Sequence, residues 1–210
     1  MLTFRSLLFP AVAAAYVAIA PQAHAASSDP DVLRIEQAGH GVRWNAAVAG
    51  KEGKFGHAEA LINAPLDKVR AQVTDFGHYK DFAPQKFNNA RVVAKENGTT
   101  DLYMQVPIMH GMVKLWFVLR FGAPKMVNGV ETLEGTFVRG NVETANIVFQ
   151  MKQVADDFSV LKCDLLIKPS VPAPQGLVDE ELRDAAYDAV TAVHERAQGR
   201  PGQFYVNPKS

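Results

Sequence analysis

Residues 102–121 read LYMQVPIMHGMVKLWFVLRF, and the alternation within this stretch decides the fold class. Leu102, Met104, Val106 and Ile108 recur at every second position, with Tyr103 and Gln105 between them. Beyond a bend marked by His110-Gly111, Leu115, Phe117, Leu119 and Phe121 repeat the pattern opposite Lys114, Trp116, Val118 and Arg120. A period of two puts each set on one face of a β-strand. Two such strands joined by a short turn are antiparallel neighbours, sharing one apolar face and one mixed, wetter face.

The same pattern continues on both sides, with strands expected at Phe87–Lys95, Asp101–Ile108, Met112–Phe121, Val130–Val138, Val142–Met151 and Phe158–Lys168. Their apolar faces carry Leu133 and Phe137 around Gly135, then Ala145, Ile147, Phe149 and Met151, then Leu161, Cys163, Leu165 and Ile167. Asn97-Gly98, Asn128-Gly129 and Gly140-Asn141 have the sequence of tight hairpin turns, and Asp156-Asp157 marks a further bend. Short connections imply an antiparallel meander and leave no room for βαβ crossovers. Pro169, Pro172 and Pro174 make a stiff connector to a long helix that runs from Gly176 to about Gln198, before Gly199 and Pro201. Its apolar positions are Leu177, Val178, Leu182, Ala185, Ala186, Ala189, Val190 and Val193. No other element is long enough to cover the apolar face of the sheet, and its alanine-rich centre leaves space there.

Upstream, Phe55–Ile62 reads as a strand closed by Asn63-Ala64-Pro65, with Pro65 suited to the first turn of a helix. Leu66, Val69, Val73 and Phe76 follow at helical spacing, and a second short turn through His78–Phe82 ends at Pro84. Residues 26–53 form a partly irregular lead-in, with an early strand at Val32–Ile35 or Val42–Ala47. The first 25 residues read as an export signal: Arg5, an apolar run of 14 residues from Leu7 to Ala20, and Ala23-His24-Ala25 ahead of a cut after Ala25. The alternative is a retained anchor, against which the short run and Pro10 weigh, since a hydrocarbon core is ~30 Å thick. The expected organisation is therefore a signal over 1–25, a lead-in over 26–53, one domain over 54–198 and a tail over 199–210.

Of the 210 residues, 48% are hydrophobic and 21% charged, which is globular composition. Lys plus Arg and Asp plus Glu number 22 each, and Arg5 leaves with the signal. Without a basic excess the chain has no electrostatic footprint for nucleic acid, and no polybasic stretch for anionic lipid. The single cysteine, Cys163, rules out an intramolecular disulfide and sits on an apolar face as a small hydrophobe.

Ile62-Asn63-Ala64-Pro65-Leu66-Asp67-Lys68-Val69, followed by Val73-Thr74-Asp75-Phe76, Tyr79, Phe82 and Pro84, resembles the opening of the START-like (SRPBCC) superfamily. That superfamily includes polyketide cyclase/dehydrase-type, lipid-transport and coenzyme-Q-binding START proteins, and the proline-rich entry from Pro169 to Leu182 is similar to theirs. The likeness covers about residues 54–198. It implies an α+β helix-grip fold, in which a curved antiparallel sheet wraps around the C-terminal helix and encloses a cavity.

Motifs for chemistry are sparse. His40, His57, His78, His110 and His194 show no metal-ligand spacing, and no cysteine pair supports zinc. No nucleophile elbow or phosphate loop occurs, so no catalytic residue, metal or cofactor is expected. His194 suits a helix C-terminus and His110 a surface turn. Asp75 and Tyr79, with Asp81 after them, could bind a ligand headgroup but fit helix-end packing better. Glu134 alternates outward, and Glu143 lies opposite Ala145's face only if the register bulges, so a carboxylate pair is unsupported. Asn97-Gly98-Thr99 is also a glycosylation sequon, which matters only in a eukaryotic secretory pathway. Trp116 belongs to the outer face, packing on the lead-in in preference to a membrane or partner.

The expected function is an exported binder or carrier of a hydrophobic small molecule: a lipid, sterol-like molecule, quinone or polyketide-like compound. Met104, Phe117, Leu119, Phe137 and Phe149 are expected to line its site from the sheet. Leu161 and Leu165 join them from the last strand, and Leu182, Ala186 and Ala189 from the helix. Entry is expected near Phe82, His110 and the start of the final helix, with transient membrane contact. The alternatives are a cyclase or dehydratase using the same cavity, and an accessory protein binding a partner through Tyr103, Gln105 and Trp116.

Overall fold

The computed structural model describes residues 29–39, 41–48, 53–82, 88–108 and 111–199, with the side chains of residues 81 and 82 left aside. Residues 1–28, which include the expected export signal, and His40, Pro84, His110 and the tail after 199 lie outside the described residues.

Nine antiparallel strands among the described residues form one sheet. They are β1 (Val42–Ala47), β2 (Lys54–Ile62), β3 (Asn89–Glu96), β4 (Thr99–Ile108), β5 (Val113–Phe121), β6 (Lys125–Val127), β7 (Val130–Gly140), β8 (Val142–Ala155) and β9 (Phe158–Pro169). Their order is β1-β2-β9-β8-β7-β5-β4-β3, with β6 also paired to β7. The expected meander is therefore present, and the first two strands join its far edge. Leu102 faces Leu119 and Met104 faces Phe117, so the two apolar rows of the deciding stretch lie side by side. Asn97-Gly98 and Asn128-Gly129 both have positive φ at each residue, the backbone that a twisted two-residue hairpin requires.

Gly140-Asn141 behaves differently from the tight turn its sequence suggests. Pairing of β7 with β8 ends at Thr136–Asn146, and the strands then part, β7 toward β5 and β8 toward β9. Asn141 holds the junction: its Oδ1 accepts from the Trp116 N–H at 2.7 Å and its Nδ2 donates to the Lys114 carbonyl at 3.0 Å. A Cβ on Gly140 would lie 2.4 Å from the Trp116 carbonyl oxygen.

The helices are α1 (Pro30–Ala38), α2 (Leu66–Val73), α3 (Tyr79–Phe82) and α4 (Gln175–Ala197), with a 3-10 turn over Phe76–His78. α1 corrects the strand expected at Val32–Ile35, whereas β1 coincides with the other option. Asp29 caps α1 by accepting from the Asp31 N–H, Pro30 opens it, and only Val32 and Ile35 are buried, so its apolar period is too short to stand out. Pro65 is extended and stands just before α2, not within its first turn. None of the helices among the described residues is long and apolar enough to cross a membrane.

The main core lies between the inner face of the sheet and α2, α3 and α4. A smaller cluster of Val32, Ile35 and Val160 packs α1 against the outer face. The fold class is α+β with a helix-grip arrangement, as the START-like resemblance implied.

Candidate functional site

α4 is pressed against the sheet along one flank only. At Gly56 of β2 a Cβ would lie 2.1 Å from the Leu182 backbone, so only glycine allows this approach. Ala186, one turn further along α4, is fully buried, as is Ala58, and Ala60 is nearly so. β1 clasps the same flank: Asn45 donates to the Asp179 carbonyl at 2.7 Å, and Arg43 pairs with Asp184 at 3.3 Å and lies over the Tyr187 ring. At the far end Arg196 reaches Gln72 and Asp75.

The opposite flank of α4 stands off β4, β5 and β8, and a cavity of about 130 Å³ opens there. Met104, Val106, Leu115 and Phe117 form one wall, and Ile147, Phe149, Leu165 and Ile167 another. Pro107, Ile108, Pro169, Ala173 and Leu177 surround the end nearest the β9–α4 connector. Tyr79 closes the other end, in an aromatic group with Phe76 and Phe121. Gly135 lies beneath Phe121, where a Cβ would come within 2.5 Å of the ring.

The lining is almost wholly apolar. Tyr79 donates its hydroxyl to the Val73 carbonyl at 2.6 Å, and burial pushes its pKa far above the usual phenol value, so it stays neutral. Among the described residues, the other ionisable groups in the lining are the carboxylates of Glu181 and Asp188. Among the described residues no group of side chains is arranged to hold a metal.

A polar network occupies the outer face of the sheet beneath α1. His57 contacts Asp164 at 2.5 Å and Glu59 at 2.9 Å, with the Trp44 ring tilted against its own at 4.1 Å between centroids. Burial acts to lower the His57 pKa, but hydrogen bonds to the two carboxylates outweigh it and raise the value to about 9. Arg34 from α1 bonds Glu59, and Lys162 reaches Asp31 at 2.9 Å and Glu59 at 3.5 Å. Burial acts to raise the Glu59 pKa, but these cations hold it below the ordinary carboxylate range. The network is tied to itself and lies on the face away from the cavity.

No protein-family model matches the chain, and no curated protein sequence matches it. Solved structures do. A START superfamily protein from Mycobacterium smegmatis superimposes with a TM-score of 0.59 at 16% identity, over 70% of this chain and 99% of that one. The STAR-related lipid transfer protein from Xanthomonas axonopodis gives 0.63 at 12% identity, over 76% and 94%. Human STARD10 gives 0.63 at 9% identity, over 77% and 71%. The fold is START-like.

Of the residues expected to line a START-like cavity, Met104, Phe117, Phe149, Leu165, Leu182 and Ala189 do so. Leu119, Leu161 and Ala186 do not: they are fully buried in the core, because the cavity lies to one side of α4 and not beneath its centre. Phe137 sits where β7 has parted from β8 and packs against the core without reaching the lining. Phe82 falls among the residues whose side chains are not described. Glu181 and Asp188 escaped notice because α4 was read for its apolar positions, although both follow Leu177 at i+4 and i+11 on one helical face.

The polar candidates resolve in terms of packing. Asp75 pairs with His78 and Arg196. Glu134 accepts from Asn146 on the outer face. The register of β8 shifts between Val142 and Thr144, which turns Glu143 outward to Lys168. Trp116 stacks on Tyr103, with Arg91 over the Tyr103 ring, and not on the lead-in, which covers the β2–β9 side instead. His194 stands in the last turn of α4, where Gln198 donates to it.

Proposed function

We propose that this protein is an exported binder or carrier that holds a hydrophobic small molecule between the sheet and α4. The ligand class is a lipid, a sterol-like molecule, a quinone or a polyketide-like compound. The observation that carries this reading is the apolar cavity left open by the one-sided seating of α4. Burying about 200 Å² of apolar ligand surface there contributes about 5 kcal/mol before ordering costs. Lipid-transfer proteins among the structural neighbours add support through their shared fold. Export rests on the first 25 residues.

The enzyme reading has one supporting observation, the two carboxylates in the lining. Among the described residues the remaining polar group of the lining, the Tyr79 hydroxyl, is committed to Val73. Native mass spectrometry of protein prepared gently from the envelope of its own cells, followed by organic extraction, tests the carrier reading. A stoichiometric lipid or quinone is expected, on a chain that begins at Ala26. An empty protein that takes up nothing from a mixed lipid extract counts against it, and a chain that begins at Met1 counts against cleavage.

A further inference from the structure

The two ends of the cavity differ in what they offer a ligand. Among the described residues at the end nearest the β9–α4 connector, Pro107, Ile108, Pro169, Ala173 and Leu177 are half-buried and Glu181 is exposed. This end is the mouth. At the other end Met104, Phe117, Phe149 and Tyr79 are buried. The closed end presents aliphatic, thioether and aromatic groups, and its one hydroxyl already donates to the Val73 carbonyl. Asp188, partway along α4, has partners within the protein. A polar group carried to the closed end gives up its hydration and meets an apolar wall. At the mouth the same group stays in water, where the charge of Glu181 is screened. The volume of about 130 Å³ sets a second limit. A space of ~150 Å³ accepts a benzene-sized group, so about six carbons fit and a fused-ring skeleton of sterol size does not.

Resting on the carrier reading above, we propose that the cavity is a socket for the tail of a flexible amphiphile. An alkyl, acyl or isoprenyl chain enters tail first to a depth of about six carbons and leaves its polar head in water at the mouth. The socket therefore discriminates by the far end of the chain and by its thickness, and is indifferent to the charge of the head.

The test is displacement of N-phenyl-1-naphthylamine, a neutral fluorescent reporter whose phenyl ring is of the size the space accepts, at neutral pH. In a series of 1-alkanols from butanol to dodecanol, affinity is expected to rise about fourfold per methylene up to about six carbons and under about 1.5-fold per methylene beyond octanol. Octanol, octylamine and octanoate are expected to bind within about threefold of one another, and 1,8-octanediol at least about tenfold more weakly than octanol. Octanediol binding as well as octanol overturns the tail-first orientation. A spread above about tenfold among the three heads overturns their placement in water. Affinity that climbs unbroken to dodecanol overturns the depth of the socket. Each of these leaves the carrier reading intact, whereas failure of the reporter and of every ligand to bind removes that reading, and the socket with it.

Discussion

His57 meets one carboxylate at each ring nitrogen, and this arrangement has a pH signature. Its pKa rises from 6.5 to about 9 on folding. The stabilisation is fully present below the unfolded value and is lost as pH climbs through the folded one, an effect on the order of 3 kcal/mol. Urea unfolding should therefore show stability falling between neutral and alkaline pH, and H57Q should remove most of that slope. Equal slopes in both proteins would show that His57 is not the group responsible. Gly56 carries a second prediction at this scale. Gly56→Ala places a Cβ against the Leu182 backbone and should cost about 3 kcal/mol, read from the shift in the urea midpoint. A loss under about 1 kcal/mol would mean that α4 moves aside easily. Neither residue stood out in the sequence. Gly56 looked like one small residue in a strand of small residues, and the two carboxylates that surround His57 come from its own strand and from position 164.

At the scale of elements, α4 decides where a ligand can go. Its two long faces differ in what lies under them: small residues of β2 on one side, and the large apolar side chains of β4, β5 and β8 across a gap on the other. Ala189→Trp should fill that gap, weakening reporter binding by about tenfold or more while costing under about 1.5 kcal/mol of stability. Ala186→Trp should do the reverse, unfolding the protein or destabilising it severely, because Ala186 has no space around it. If Ala186→Trp folds normally and loses binding while Ala189→Trp retains it, the cavity has been placed on the wrong flank. The alanine-rich centre of α4 was legible as a sign of space. Its interpretation was incomplete, since some of those alanines make space and others use it to bring the backbones together. α1 shows how a short element hides: with two buried side chains it leaves almost no period, and its Asp-Pro start is the clearer mark.

For the whole molecule, cavity size bears on how the protein works. About 130 Å³ is close to a space (~150 Å³) that accepts a benzene-sized group. A sterol-like or long-chain ligand therefore needs either part of its length outside the mouth or a movement of α4 and its connector away from β4. α4 suits such a movement, being clasped by β1 and β2 along one flank and spanning open space along the other.

The sequence by itself determined seven of the nine described strands, the inward side of β4, β5, β7, β8 and β9, the two Asn-Gly turns and the long final helix. These follow from period and turn chemistry, which contiguous residues express locally. The likeness in the 62–84 segment supplied the grip arrangement. Tertiary structure alone decided which flank of α4 would touch the sheet, where β7 would leave β8, and which carboxylates would surround His57. Each of these depends on how closely two backbones distant in sequence can approach. That distance is set at Gly56 and Gly140 by the side chain that is missing, and no periodicity records it.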